Sequence, residues 1–140
     1  MDRRNFIKNS CSLCIAISAG IAVGSLSSCT SASVFKTTIS ENKITVPVSA
    51  FATTSLQIIS PKNYEYNIAL RKEDDGSYNA LLLRCTHENN QLISTGNGFV
   101  CNLHGSKFDK EGGVTKGPAA IPLKKFHTAV ISDNIIITLI

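Results

Sequence analysis

Cys85-Thr86-His87 and Cys101-Asn102-Leu103-His104-Gly105-Ser106-Lys107-Phe108-Asp109, separated by thirteen residues, give the chain two short segments with one thiol and one imidazole each, in the same order. A cysteine and a histidine one or two residues apart on a tight loop can both turn toward one point. Two such loops can close a cage of two soft, anionic sulfur donors and two neutral nitrogen donors. Structural zinc sites usually space their ligands as C-x2–4-C and H-x3–5-H, so that each half offers one ligand type. Here each half mixes the types, and the first gap is a single residue.

The mixed set matches a 2Fe–2S cluster with two Cys on one iron and two His on the other. The trailing Gly105-Ser106-Lys107-Phe108-Asp109 strengthens the match, and the segment closely resembles the Rieske iron–sulfur family. The resemblance runs from about Lys43 to the C-terminus, with its strong motif confined to Cys85–Asp109. It implies an antiparallel β-sandwich of the Rieske type, all-β, with a small cluster-binding subdomain inserted. It further implies that Cys85 and Cys101 hold a buried iron, that His87 and His104 hold an outer one near solvent, and that the Ser106 hydroxyl donates to a cluster sulfur. Gly117-Pro118-Ala119 is similar to the proline-containing loop that covers the cluster in this family, with an ordinary turn as the plain alternative. A zinc site built from the same four residues, or a metal-free binding domain, are the other readings of the motif.

The sequence departs from one branch of the family. In the cytochrome bc type each cluster loop carries an extra Cys, and the two cross-link the loops; Asn90 and Leu103 stand in those places here. Phe108 stands where the high-potential branch has a tyrosine whose hydroxyl bonds a ligand sulfur. Both absences imply a potential in the lower or middle part of the Rieske range of about −150 to +300 mV.

Upstream, Arg3-Arg4-Asn5-Phe6-Ile7-Lys8 resembles a twin-arginine export signal, followed by an apolar run from about Cys11 to Leu26. Leu26-Ser27-Ser28-Cys29 resembles a lipobox, with Cys29 as the lipidated residue. The run is diluted by Ser and Gly and is short for a span, which needs about 20 residues. Residues 1–28 therefore read as an export signal, 29–42 as a polar tether and 43–140 as the folded domain. An exported, membrane-anchored lipoprotein at the periplasmic face or cell envelope follows, with a retained N-terminal anchor as the alternative. The C-x-x-C spacing of Cys11 and Cys14 inside the run is accidental, and no thiol is left over for a disulfide.

The formal charge is +4, but from Cys29 onward eleven Lys/Arg face nine Asp/Glu, an excess too small for a nucleic-acid partner. From Lys43 the pattern is β. Ile44, Val46 and Val48 alternate with polar residues, and Pro47 pushes that strand to an edge. Leu56–Ile59 is a second candidate, and Tyr64, Tyr66, Ile68 and Leu70 share one face of a third. After a turn at Asp74-Asp75-Gly76, Tyr78–Arg84 runs into Cys85, and the succession Leu81-Leu82-Leu83 predicts burial on both faces. Gly96-Asn97-Gly98 predicts a hairpin turn between the two loops. Phe126–Ile131 and Ile135–Leu139 predict a closing hairpin, with His127 a strand residue and not a ligand.

No nucleophile–base pair, phosphate loop or second metal set accompanies the motif. The expected role is single-electron transfer, as an exported carrier or a subunit of an oxidoreductase complex, without catalysis of its own. A Rieske-type ferredoxin serving an oxygenase is the alternative.

Overall fold

The computed structural model describes residues 32–140; the leader and Cys29 lie outside them. Alternation sets the first element of the sandwich: in β2 (Lys43–Pro47) Ile44 and Val46 are buried while Lys43 and Thr45 face solvent. Pro47, which lacks an N–H, is tolerated because β2 is an edge strand. Beyond it follow β3 (Leu56–Pro61), β4 (Ile68–Lys72) and β5 (Tyr78–Leu82), joined by short connections. The chain closes with the hairpin β10 (Lys125–Ile131) and β11 (Asn134–Thr138). With β1 (Ser33–Thr37) these strands make one seven-stranded order, β1-β3-β4-β5-β10-β11-β2. It folds back on itself around a first core that includes Ile44, Ile59, Leu70, Phe126, Ile135 and Ile137. Each such side chain contributes roughly 1.5–3 kcal/mol on burial.

Between β5 and β10 the chain forms a second, smaller sheet in the order β6 (Ile93–Ser94), β7 (Gly98–Val100), β8 (Lys107–Asp109) and β9 (Val114–Lys116). It packs on the outer face of the large sheet. The three successive leucines make this possible: Ala80 and Leu82 enter the first core, while Leu81 and Leu83 enter a second with Leu92, Phe99 and Phe108. The fold is the expected all-β sandwich with an inserted subdomain.

Three local expectations are revised. Val48 and Ser49 do not prolong β2; Val48–Phe51 is a 3-10 turn that carries Phe51 into the first core. The third strand starts at Ile68, so Tyr64 and Tyr66 precede it, with Tyr64 exposed. Ser33–Thr37, expected as free tether, is a strand paired in parallel with β3, from Ser33↔Gln57 to Thr37↔Pro61. The cause is β3 itself: nearly all of its residues are buried, so an unpaired edge would leave desolvated N–H and C=O groups without partners. β1 supplies them, and Phe35 packs against the first core.

Candidate metal centre

Two connections carry the expected ligands. β5 runs on through Leu83 into Cys85, and the first loop is closed by Cys85 N–H donating to Asn90 O (2.9 Å) and Leu92 N–H to Leu83 O (2.9 Å). The second loop joins β7 to β8, with Cys101 N–H on Ser106 O (2.8 Å) and Gly105 N–H on Cys101 O (3.0 Å). Gly105 sits at φ 80°, in the left-handed region that glycine enters without penalty. At Gly98 the strands approach so closely that a Cβ would lie 2.2 Å from Phe108 O.

This construction brings the four expected ligands together and sorts them by type. Cys85 and Cys101 are 1% and 2% exposed and neither is in a disulfide. His87 and His104 are exposed, their rings edge to face with centroids 5.2 Å apart. Burial alone would push the Cys101 thiol up. Yet its pKa is lowered, because Leu103 N–H, the Cys85 thiol, the Asn90 amide and His104 N–H bond its sulfur and outweigh that burial. The donor set thus fits a two-iron cluster: two buried sulfurs, with donors to that of Cys101 favouring its charged form, and two imidazoles at the surface.

The surroundings divide into predicted and unpredicted parts. Ser106 is fully buried and its Oγ accepts from Ala119 N–H (3.0 Å), leaving the hydroxyl proton available for a sulfur. Phe108, 2% exposed, is packed in the second core. Gly117 and Pro118 are exposed, in a loop tied to both ligand segments: through Ala119 to Ser106, and through Thr86 Oγ1, which donates to Ile121 O (2.6 Å). Leu103 is half exposed beside His104. His127 lies exposed on β10.

Asn90 has a role that spacing did not reveal. Its Nδ2 lies 3.6 Å from Cys101 Sγ and donates to Asn102 Oδ1 (2.9 Å), so a hydrogen bond links the two loops. The signal available in the sequence was only that an amide, a short donor, occupies that position. Glu88, which follows His87 directly and is expected beside the exposed edge, lies there: its carboxylate and the two imidazoles offer ligand atoms all within 4.8 Å of one another. Among the described residues no helix is long and apolar enough to cross a membrane.

The chain is 37% identical over 70 residues to the cytochrome b6-f complex iron-sulfur subunit 1 of Synechocystis sp., covering 47% of this chain and 39% of that one. It is 40% identical over 60 residues to iron-sulfur subunit 3 of Nostoc sp., covering 43% and 32%. The chain therefore spans well under half the length of these relatives. Among solved structures, the cyanobacterial plasma membrane Rieske protein PetC3 from Synechocystis PCC 6803 superposes with a TM-score of 0.57 at 24% identity, over 68% of this chain and 98% of that one. A chain from the complex of reduced oxygenase and oxidized ferredoxin in carbazole 1,9a-dioxygenase gives 0.52 at 18% identity, over 71% and 94%. Residues 45–127, more than half of the chain and including both mixed loops, match the model of the Rieske [2Fe-2S] domain. The match covers more than half of the chain, and the chain belongs to the Rieske [2Fe–2S] family.

Proposed function

We propose that this domain passes single electrons between partner proteins, with Cys85 and Cys101 on the inner iron of its cluster and His87 and His104 on the outer one. The division between buried thiols and exposed imidazoles carries the reading. When bound, the cluster supplies a one-electron couple whose potential the two His ligands raise above that of an all-Cys cluster. The chain's own residues set access and potential. His87 and His104 form the face that a partner reaches. The Ser106 hydroxyl and the donors on Cys101 stabilise added negative charge, while Phe108 offers no hydroxyl of its own. The Gly117–Pro118 loop, tied to both ligand segments, holds the cover in place.

The domain belongs on this reading to an exported, membrane-anchored protein: residues 1–28 direct export, Cys29 takes the lipid, and the Rieske domain, from near residue 43, is preceded by β1 docked on its sheet. Its partner is a redox protein or a membrane oxidoreductase complex, in keeping with relatives that are subunits of the cytochrome b6-f complex. Retention of the leader as an anchor is the alternative for the first 28 residues. A ferredoxin serving an oxygenase is the alternative for the whole; the fold is shared with a chain of such a system, while the leader argues for export.

Anaerobically purified protein should hold two irons and two sulfides per chain and little zinc. A colourless, stably folded chain with one bound zinc would sink the reading. Cys29→Ser should block lipid attachment and leave the leader uncut, as read by mass spectrometry of the membrane fraction. A mature chain that still begins at Met1 would favour the retained anchor. A pull-down from membranes, set against one from cytoplasmic extract, separates the complex subunit from the oxygenase ferredoxin.

A further inference from the structure

We infer that β1 sets the direction in which the metal centre faces: the domain is held with His87 and His104 away from the membrane, and its electron partner is a protein reached from the aqueous side. The inference rests on the N-terminal membrane attachment proposed above. It holds for a lipid at Cys29 and for a retained apolar segment alike, because both precede Ser33.

The segment after the attachment point is pinned, residue by residue. Ser33 Oγ donates to the side-chain oxygen of Gln57, whose own amide donates to Ala50 O; Gln57 is 6% exposed. Five registered pairs join β1 to β3. Past β1, Asn63 clamps Ile39 from both sides, accepting from its N–H (2.9 Å) and donating to its carbonyl (3.2 Å). Leu139 N–H then holds Asn42 O (2.8 Å). A free tether from Cys29 to Lys43 would reach about 50 Å, at about 3.5 Å per residue. With β1 docked, only Thr30, Ser31 and Ala32 separate Cys29 from the sheet, and the reach falls to about 14 Å.

The register gives the direction. Ser33 lies on the row Gln57, Leu70, Ala80, and β1, β3 and β5 run the same way. Cys85 comes five residues after Ala80, about 17 Å further along at 3.3–3.4 Å per residue. Twist of about 20–25° per strand pair, summed over the three pairs from β1 to β5, stays below a right angle. The chain therefore enters at the end of the sheet that carries the Asp74–Gly76 turn, and the ligand loops leave from the other end. Turning the imidazoles to the bilayer would require β1 to come off β3, giving up its ladder, the Gln57 bond and the half-burial of Phe35.

Full-length chain from membranes, reduced and reconstituted into phosphatidylcholine vesicles doped with a gadolinium-chelate lipid, tests this by the electron-spin relaxation of the reduced cluster. Wild type should relax nearly as slowly as in vesicles without gadolinium. A chain with β1 stapled to β3 by Lys36→Cys and Ser60→Cys should behave identically. Val34→Pro with Phe35→Pro, which removes ladder donors, should relax several-fold faster. Wild type relaxing markedly faster with gadolinium, or slowed by the staple, would overturn the orientation, whether or not the proline variant folds. The reduced wild type in vesicles should lose its electron to the aqueous extract, which supplies the water-soluble one-electron acceptor. Reoxidation by washed membranes alone, or by neither, would overturn the aqueous partner. A chain found only in the aqueous fraction would overturn the anchoring and the inference with it; a membrane-bound chain that relaxes fast overturns the orientation alone.

Discussion

The two cores of this molecule are built differently. The first is closed by strands of five to seven residues and filled mainly with aliphatic side chains, joined by Phe51, Tyr78 and Phe126. The second lies under strands of two or three residues and counts Cys85 and Cys101 among its buried members. It also borrows Leu56, Ile58, Ala69, Leu81 and Leu83 from the back of the large sheet. Strands so short do not hold a sheet alone. The sandwich is a scaffold stabilised by apolar burial, and the subdomain is packed on that scaffold.

Breaking the subdomain should give the largest effect. Cys85→Ser, or Cys101→Ser, should abolish cluster assembly and loosen β6–β9, since metal binding is coupled to folding. Amide exchange is expected to rise sharply over residues 93–116 while β4, β11 and β2 stay protected. A variant without cluster that keeps full protection there would erase the proposed contrast.

Breaking the sandwich should show the reverse. Ile137→Ala, at a fully buried position of the first core, should cost about 2–5 kcal/mol of stability. Its folded fraction should retain the wild-type visible spectrum and potential. A potential that moves with this substitution would mean that the two cores are not separable.

Within the subdomain, smaller changes should tune without breaking. Phe108→Tyr adds a hydroxyl on the second core and should raise the potential by some tens of millivolts, at most about the ~59 mV that corresponds to a factor of ten for one electron. Asn90→Leu removes a donor from Cys101 and the bond to Asn102, and should lower the potential by a comparable amount. Protein-film voltammetry reads both; shifts of the same sign would refute the assignment of one of them.

The smallest effect is expected far from the cluster, in the β4–β5 turn. The Ser77 hydroxyl and N–H (2.8 Å to Asp75 Oδ1) hold the Asp75 carboxyl below its ordinary pKa. A depressed carboxylate stabilises the fold above its unfolded value and loses that contribution as pH falls through the folded one, below about 3.9. Asp75→Asn should therefore lower Tm slightly at neutral pH, and the gap to wild type should close in acid. The site is exposed and screened, so the shift should be barely measurable, with the visible spectrum unchanged.

What could be read from the chain alone was whatever depends on neighbours in sequence. The mixed Cys/His spacing is local chemistry: one or two residues of separation determine which donors can converge, and no distant partner is needed. Alternation in Lys43–Val46 and the triple Leu81–Leu83 likewise reported which faces are buried, because side-chain direction in a strand follows from backbone geometry. Gly96-Asn97-Gly98 marked a turn for the same reason. Other features required the folded chain. Ser33–Thr37 has no strand pattern of its own and becomes one because β3, twenty-four residues on, has an edge to satisfy. Val48 leaves the alternation because Phe51 has a place in the first core. Asn90 meets Asn102, and Thr86 meets Ile121, across distances in sequence that no periodicity encodes. A hydrogen-bond donor is the same in any partner's company, and only tertiary structure decides which acceptor it finds.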